Sequence, residues 1–225
     1  RGVAMWRDFA ARADGSLSIV DALGTTGPRK GIAGGFVPAH PTDRLYYFDG
    51  DFQRLSAVMA AFQLKNLVDT VLYNDGAIFV VHHVITVATA VLALHPFAHF
   101  HGTFFFGVSE TSTTILAVLA NFSSDHGVPR LEAEYVRCRL AIGGLFALSF
   151  FVVRGFLWPV GAYFFIVDCL AVLAADEAHD RAVVWGFVAM LLTLSAMQVL
   201  WLGEIILTIY REVLQPLVAP HPKTS

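Results

Sequence analysis

Between Ala77 and Leu94 the chain carries no Asp, Glu, Lys or Arg, yet two adjacent histidines, His82 and His83, lie one turn inside that run. As a helix the run rises roughly 27 Å at about 1.5 Å per residue, close to the hydrocarbon thickness of a bilayer. A chain with such a segment folds in lipid, where backbone N–H and C=O groups must be satisfied inside helices. A charged side chain at that depth costs on the order of 2.5–3.5 kcal/mol, so ionisable residues there face a bundle interior, a partner or a cavity. The histidine pair is therefore a candidate functional feature.

Composition extends this reading to the whole chain. Apolar residues make up 56% and charged residues 15%, with a mean hydropathy of +0.62. At 225 residues there is room for about six spans of roughly 20 residues, packed as one all-α polytopic bundle. The net charge of -3 with scattered Lys and Arg indicates neither a nucleic-acid surface nor a polybasic lipid patch. Cys138 and Cys169 show no CxxC spacing, so neither a disulfide framework nor a zinc site is expected. Because the sequence opens on Arg1, an upstream targeting peptide or span is left open.

Breakers and apolar lengths divide the chain. Residues 1–51 predict an interfacial helix around Trp6–Leu23 and a Gly/Pro-rich loop over Gly24–Pro41; residues 52–215 form the transmembrane domain and 216–225 a tail. The six predicted spans run over Phe52–Tyr73, Ala77–Leu94, His99–Asn121, Leu140–Phe156, Val160–Ala175 and Ala182–Val213, with the Trp158-Pro159 pair as the break between the fourth and fifth. If alternate loops share a side, Arg44, Arg154 and Arg211 fall on the N-terminal side and Arg130, Arg137, Arg139 and Arg181 on the other. The positive-inside rule mildly favours a cytosol-like or matrix-like N-terminus.

The polar residues inside spans are the candidate site. In the first span Lys65, Asn66, Asp69 and Tyr73 recur at helical spacing and predict a face lining the interior, though Lys65 and Asp69, four apart, can also neutralise each other. Thr86 follows His82 by four residues and shares its face, whereas His83 points about 100° away. The third span carries Glu110 and Ser112 in a Ser/Thr-rich patch that lipid would not tolerate. A neutral imidazole beside Glu110 can accept and return a proton. Arg154 suits a phosphate or carboxylate headgroup, or snorkels at a span end. Asp168 and Glu204 need counter-charges, with Arg154 and Arg211 available. His95, His99 and His101 add an HxxxH element, but the further histidine boxes of a membrane di-iron site are missing, so no metal or cofactor is expected.

The string His82-His83-Val84-Ile85-Thr86 resembles the HHxxT opening of the Lag1 motif in the TLC-domain family of TRAM, Lag1 and CLN8 proteins. Asp69, the Glu110-Thr111-Ser112-Thr113 segment, the Phe-rich stretch ending in Arg154, and Gln198 with Trp201 fit the same order, over roughly residues 5–215. The resemblance implies a bundle with a lipid-accessible cavity lined by His82, His83, Thr86, Glu110, Ser112, Asp69 and Arg154. In ceramide synthases of this family an acyl-CoA is joined to a sphingoid amine. Carried over, His82 and His83 would be the acyl-transfer histidines, Glu110 would orient one, and Lys65 or Arg154 would engage a headgroup. Thr113 stands where that pattern has its next Asp, and the motif's Asn and Arg between spans are missing, so the chain looks more similar to small TLC-domain-containing proteins. The implied roles are lipid handling or membrane lipid homeostasis, acyl transfer included, with membrane lipids and acyl-CoA as partners. A non-catalytic lipid-binding protein, or a structural subunit of a membrane complex, is the alternative. The implied location is the endoplasmic reticulum or another endomembrane, with a mitochondrial or plastid membrane as the alternative.

Overall fold

The computed structural model describes residues 38, 40–122, 127–211 and 215. The interfacial helix over Trp6–Leu23, nearly all of the Gly24–Pro41 loop and the tail after residue 215 lie outside the described residues. Within them the chain is helical, without strands.

A short helix, α1 (Pro41–Leu45), precedes α2 (Gly50–Tyr73). The Asp49 carboxylate starts α2 by accepting the backbone N–H groups of Asp51 (2.8 Å) and Phe52 (3.3 Å), donors that the first helical turn otherwise leaves unpaired. Asn74 ends α2 in the left-handed region, at φ 56°, and Gly76 at φ 111° leads into α3 (Ala77–Leu92). That three-residue turn makes α2 and α3 an antiparallel pair.

After the turn around Pro96, α4 (His99–Ala120) crosses back. Its stretch Thr103–Val108 is wound as π-helix, and a short α5 (Pro129–Glu134) follows. The next helix, α6, runs unbroken over Val136–Ala174. Asp180 caps α7 (Arg181–Ile209) by accepting from Ala182 (2.8 Å) and Val183 (3.3 Å). By length and apolarity α2, α4, α6 and α7 are each able to cross a membrane, with α3 a shorter apolar helix between them.

The α6 helix corrects one expectation. Trp158-Pro159 does not separate two spans, because the seven residues Phe151–Leu157 before it are wound as π-helix. A proline inside an α-helix clashes with the carbonyl four residues back and leaves it without a donor, and the wider π turn absorbs that defect. Fusing the two segments also changes which loops share an end. Tyr46 stacks edge-on with Phe97 and with His179, the His179 N–H donates to the Tyr46 hydroxyl at 3.0 Å, and Thr42 donates to Glu177. Residues 40–48, 93–98 and 175–180 therefore close one end of the bundle. Arg44 and Arg181 belong to that end; Arg130, Arg137, Arg139 and Arg211 lie toward the other. Arg154 sits near the middle of α6 and is buried.

The core is aromatic and aliphatic, built around Phe52, Phe104, Phe165, Phe187 and Leu191. Outward surfaces carry large apolar side chains such as Val58, Leu72, Leu148 and Val199, as expected where lipid replaces water. Burying a Leu or Phe gains nothing against a hydrocarbon solvent, so close packing and internal polar contacts must hold such a bundle together. Two polar clusters do so here.

Candidate functional site

The first cluster lies at the closed end. Asp168 of α6 accepts Nε–H (2.7 Å) and Nη2–H (2.6 Å) of Arg44, and His101 Nε2 lies 2.9 Å from its Oδ2. All three side chains are buried. Arg44 also donates to the Pro38 carbonyl at 2.9 Å. The expected counter-charges for Asp168, Arg154 and Arg211, are replaced by a residue outside any predicted span and one near the start of α4. The signal for this cluster was present in the sequence, since a carboxylate alone in an apolar run requires a cation. Which cation answers it was not.

His99, next to this cluster, is a structural residue. Its Nδ1 accepts the Asp49 N–H at 3.0 Å, so Nε2 carries the proton and faces the carbonyls of Ala93 and His95, both at 2.9 Å. Among the described residues no group of three or more His, Cys, Asp or Glu converges on a point able to hold a metal ion.

The second cluster is at mid-bundle and centres on Arg154. Its Nε donates to Ser112 Oγ (2.9 Å), Nη1 to Gln198 Oε1 (3.2 Å), and Nη2 to the Ser109 carbonyl (3.1 Å) and Thr113 Oγ1 (2.9 Å). Glu110 Oε1 stands 3.5 Å from Nη2. The rings of Phe150 and Trp158 flank the guanidinium, each with its centroid 5.8 Å away. Fourth of the seven residues of the π-helical stretch, Arg154 is buried within the bundle rather than snorkelling.

The histidine pair stands beside this cluster. His83 Nδ1 meets the Gln63 side-chain oxygen at 2.7 Å. His82 packs edge-on against Trp201, centroids 5.0 Å apart, and its Nδ1 is buried without a hydrogen-bond partner. Thr86 returns its hydroxyl to the His82 carbonyl at 2.8 Å. Two cavities meet here. One of about 350 Å³ is lined by His82, His83, Ser112, Thr113, Arg154, Trp201 and Glu204, among others. The second, about 60 Å³ and largely apolar, is lined by His82, Thr86, Glu110 and Arg154 and extends to His101. His82 and Arg154 are common to both.

Six of the seven expected site residues, His82, His83, Thr86, Glu110, Ser112 and Arg154, thus meet around these cavities. Asp69 does not. It pairs with Lys65 at 2.5 Å on the outer surface of α2, and Tyr73 is likewise exposed. The inward face of α2 is instead marked by Ser56, Gln63 and Thr70, spaced by seven. Lys65 is accordingly not available to a headgroup in the interior, and Glu110 is tied to Arg154 rather than to an imidazole.

An antiparallel helical bundle with a hydrogen-bonded arginine and paired histidines at its centre defines a polytopic integral membrane protein. The TLC-domain family model, that of TRAM, LAG1 and CLN8 proteins, matches residues 38–207, and the chain belongs to this family. No curated protein and no solved structure matches the chain. Membership and the apolar helices make it an integral membrane protein of lipid-related role.

Proposed function

We propose that this protein binds a membrane lipid with the lipid's polar end held at mid-bundle against His82 and Arg154, and that it acts in lipid handling or membrane lipid homeostasis in the endoplasmic reticulum or another endomembrane. The observation that carries the reading is the His82 Nδ1, buried and unpartnered in the wall shared by two cavities. A buried polar atom without a partner costs about 1–3 kcal/mol, which a lipid carbonyl, hydroxyl or phosphate would relieve. Arg154 supports it: four of its N–H groups are engaged by Ser112, Gln198, Ser109 and Thr113, leaving one on Nη1 for a ligand oxygen. The test is lipid mass spectrometry on the purified chain. Wild type retains a lipid that His82→Ala loses; equal retention by the variant overturns the reading.

Acyl transfer is a second reading, favoured by the cationic Arg154 and the His82 imidazole lining the same cavities. The imidazole would either attack the thioester of an acyl-CoA itself and pass the acyl group to an acceptor amine or hydroxyl, or take the proton of that acceptor as it attacks. In both cases the guanidinium would stabilise the oxyanion, and the C–S bond would break to release coenzyme A as the thiol. Glu110 then holds the cation in place. Acyl-CoA consumption by wild type, lost in His82→Ala, would establish it. Stoichiometric co-purification with other membrane subunits and no retained lipid would favour a structural subunit instead.

A further inference from the structure

The larger cavity is asymmetric in charge. At its inner end Arg154 is compensated by Glu110. Toward the open end, Glu204 lines the same cavity from α7 and has no ion pair among the described residues. Glu204 lies six residues beyond Gln198, the acceptor of Arg154 Nη1, a rise of about 9 Å along the helix. Glu204 is exposed and lies five residues before the end of α7, so a cationic group can reach it from outside the bundle, and a carboxylate without a counter-charge attracts one.

The walls next to Glu204 are aromatic. Trp201 stacks on Phe79, centroids 5.9 Å apart and planes 19° from parallel, and Phe146 lines the same cavity. Aromatic faces attract an ammonium, tryptophan most strongly, and the attraction grows where water is excluded. At about 350 Å³ the space is of the size of small-molecule sites.

We infer that the larger cavity takes the zwitterionic headgroup of a phospholipid, its ammonium between Glu204 and the Trp201 and Phe79 rings and its phosphate toward the remaining Nη1 hydrogen of Arg154. The inference rests on the lipid-binding reading and names the chemical class of the lipid. An anionic headgroup would meet the Glu204 carboxylate, and a neutral diacylglycerol would leave it uncompensated.

The experiment offers the purified full chain an equimolar mixture of phosphatidylcholine, phosphatidylethanolamine, phosphatidylglycerol and diacylglycerol with matched acyl chains, and reads bound lipid by native mass spectrometry. Wild type is expected to retain the two ammonium lipids over phosphatidylglycerol by about tenfold, within what carboxylate and cation–π contacts supply. Glu204→Gln, close to isosteric and neutral, is expected to lower retention of the two ammonium lipids so that the preference falls to within about twofold. Retention of phosphatidylglycerol or diacylglycerol by wild type at levels equal to the ammonium lipids overturns this inference and leaves the lipid-binding reading standing. A preference that survives in Glu204→Gln overturns the assignment to Glu204. Absence of all four lipids from wild type overturns both.

Discussion

Arg44 and Asp168 form a two-pronged ion pair, 2.7 and 2.6 Å, between residues 124 positions apart in sequence. It joins the short helix ahead of the bundle to the last third of the long sixth helix, and both partners are buried. Planar guanidinium and carboxylate match each other in geometry, which makes this the strongest form of charged hydrogen bond.

Removing one partner should therefore cost far more than removing both. Arg44→Met alone is expected to destabilise the protein by about 3–5 kcal/mol, because Asp168 is left buried and charged, while Arg44→Met with Asp168→Leu recovers part of the loss, the buried His101 then lacking its partner. Thermal unfolding of the detergent-purified variants compares the two; equal melting temperatures for single and double variants would contradict it.

The adjacent histidines should separate by phenotype. His83 is tied to Gln63, so His83→Ala is expected to lower stability by about 1–3 kcal/mol through the orphaned amide oxygen. His82 has no such partner at Nδ1, and His82→Ala is expected to keep its melting temperature within a degree or two while losing retained lipid. Melting curves and lipid mass spectrometry on the same preparations give both readouts.

Gly102 is held against the ring of Phe52, which a methyl at that position would overlap. Phe52 is itself wedged between His99 and Phe106, with centroids 4.9 and 5.7 Å away. Gly102→Ala is expected to cost about 1–3 kcal/mol by overpacking. Adding Phe52→Leu should restore part of the melting temperature; no recovery would place the strain elsewhere.

Arg154→Lys preserves the charge and should still fail. An ammonium has three donors and no planar fork, so Ser112, Thr113, Gln198 and the Ser109 carbonyl cannot all be served. A loss of about 2–3 kcal/mol in unfolding free energy is expected, since buried hydrogen bonds to a charged group are forfeited. Denaturant titration in mild detergent checks it, and an unshifted midpoint would show the network to be dispensable.

The lipid solvent explains what could be read beforehand. It dictates span length and penalises polar atoms, so the apolar runs, the histidine pair, Glu110 and Arg154 stood out without any structure. The same solvent misleads about helix faces. On α2 the conspicuous charges, Lys65 and Asp69, neutralise each other and turn outward, while the weakly polar Ser56 and Gln63 go inside. Pairings such as Arg44 with Asp168 follow from three-dimensional proximity and leave no spacing to detect. Pro159 looked like a terminator because the π turns that accommodate it carry no motif in Phe151–Leu157.

That uninterrupted α6 also sets an expectation of parity. Counting the shorter α3 with the four helices long enough to cross, five alternating helices put Pro38 and Arg211 at opposite ends of the bundle, and reporters attached at these two positions are expected to sample different compartments. Had α6 been two spans, both would read the same one.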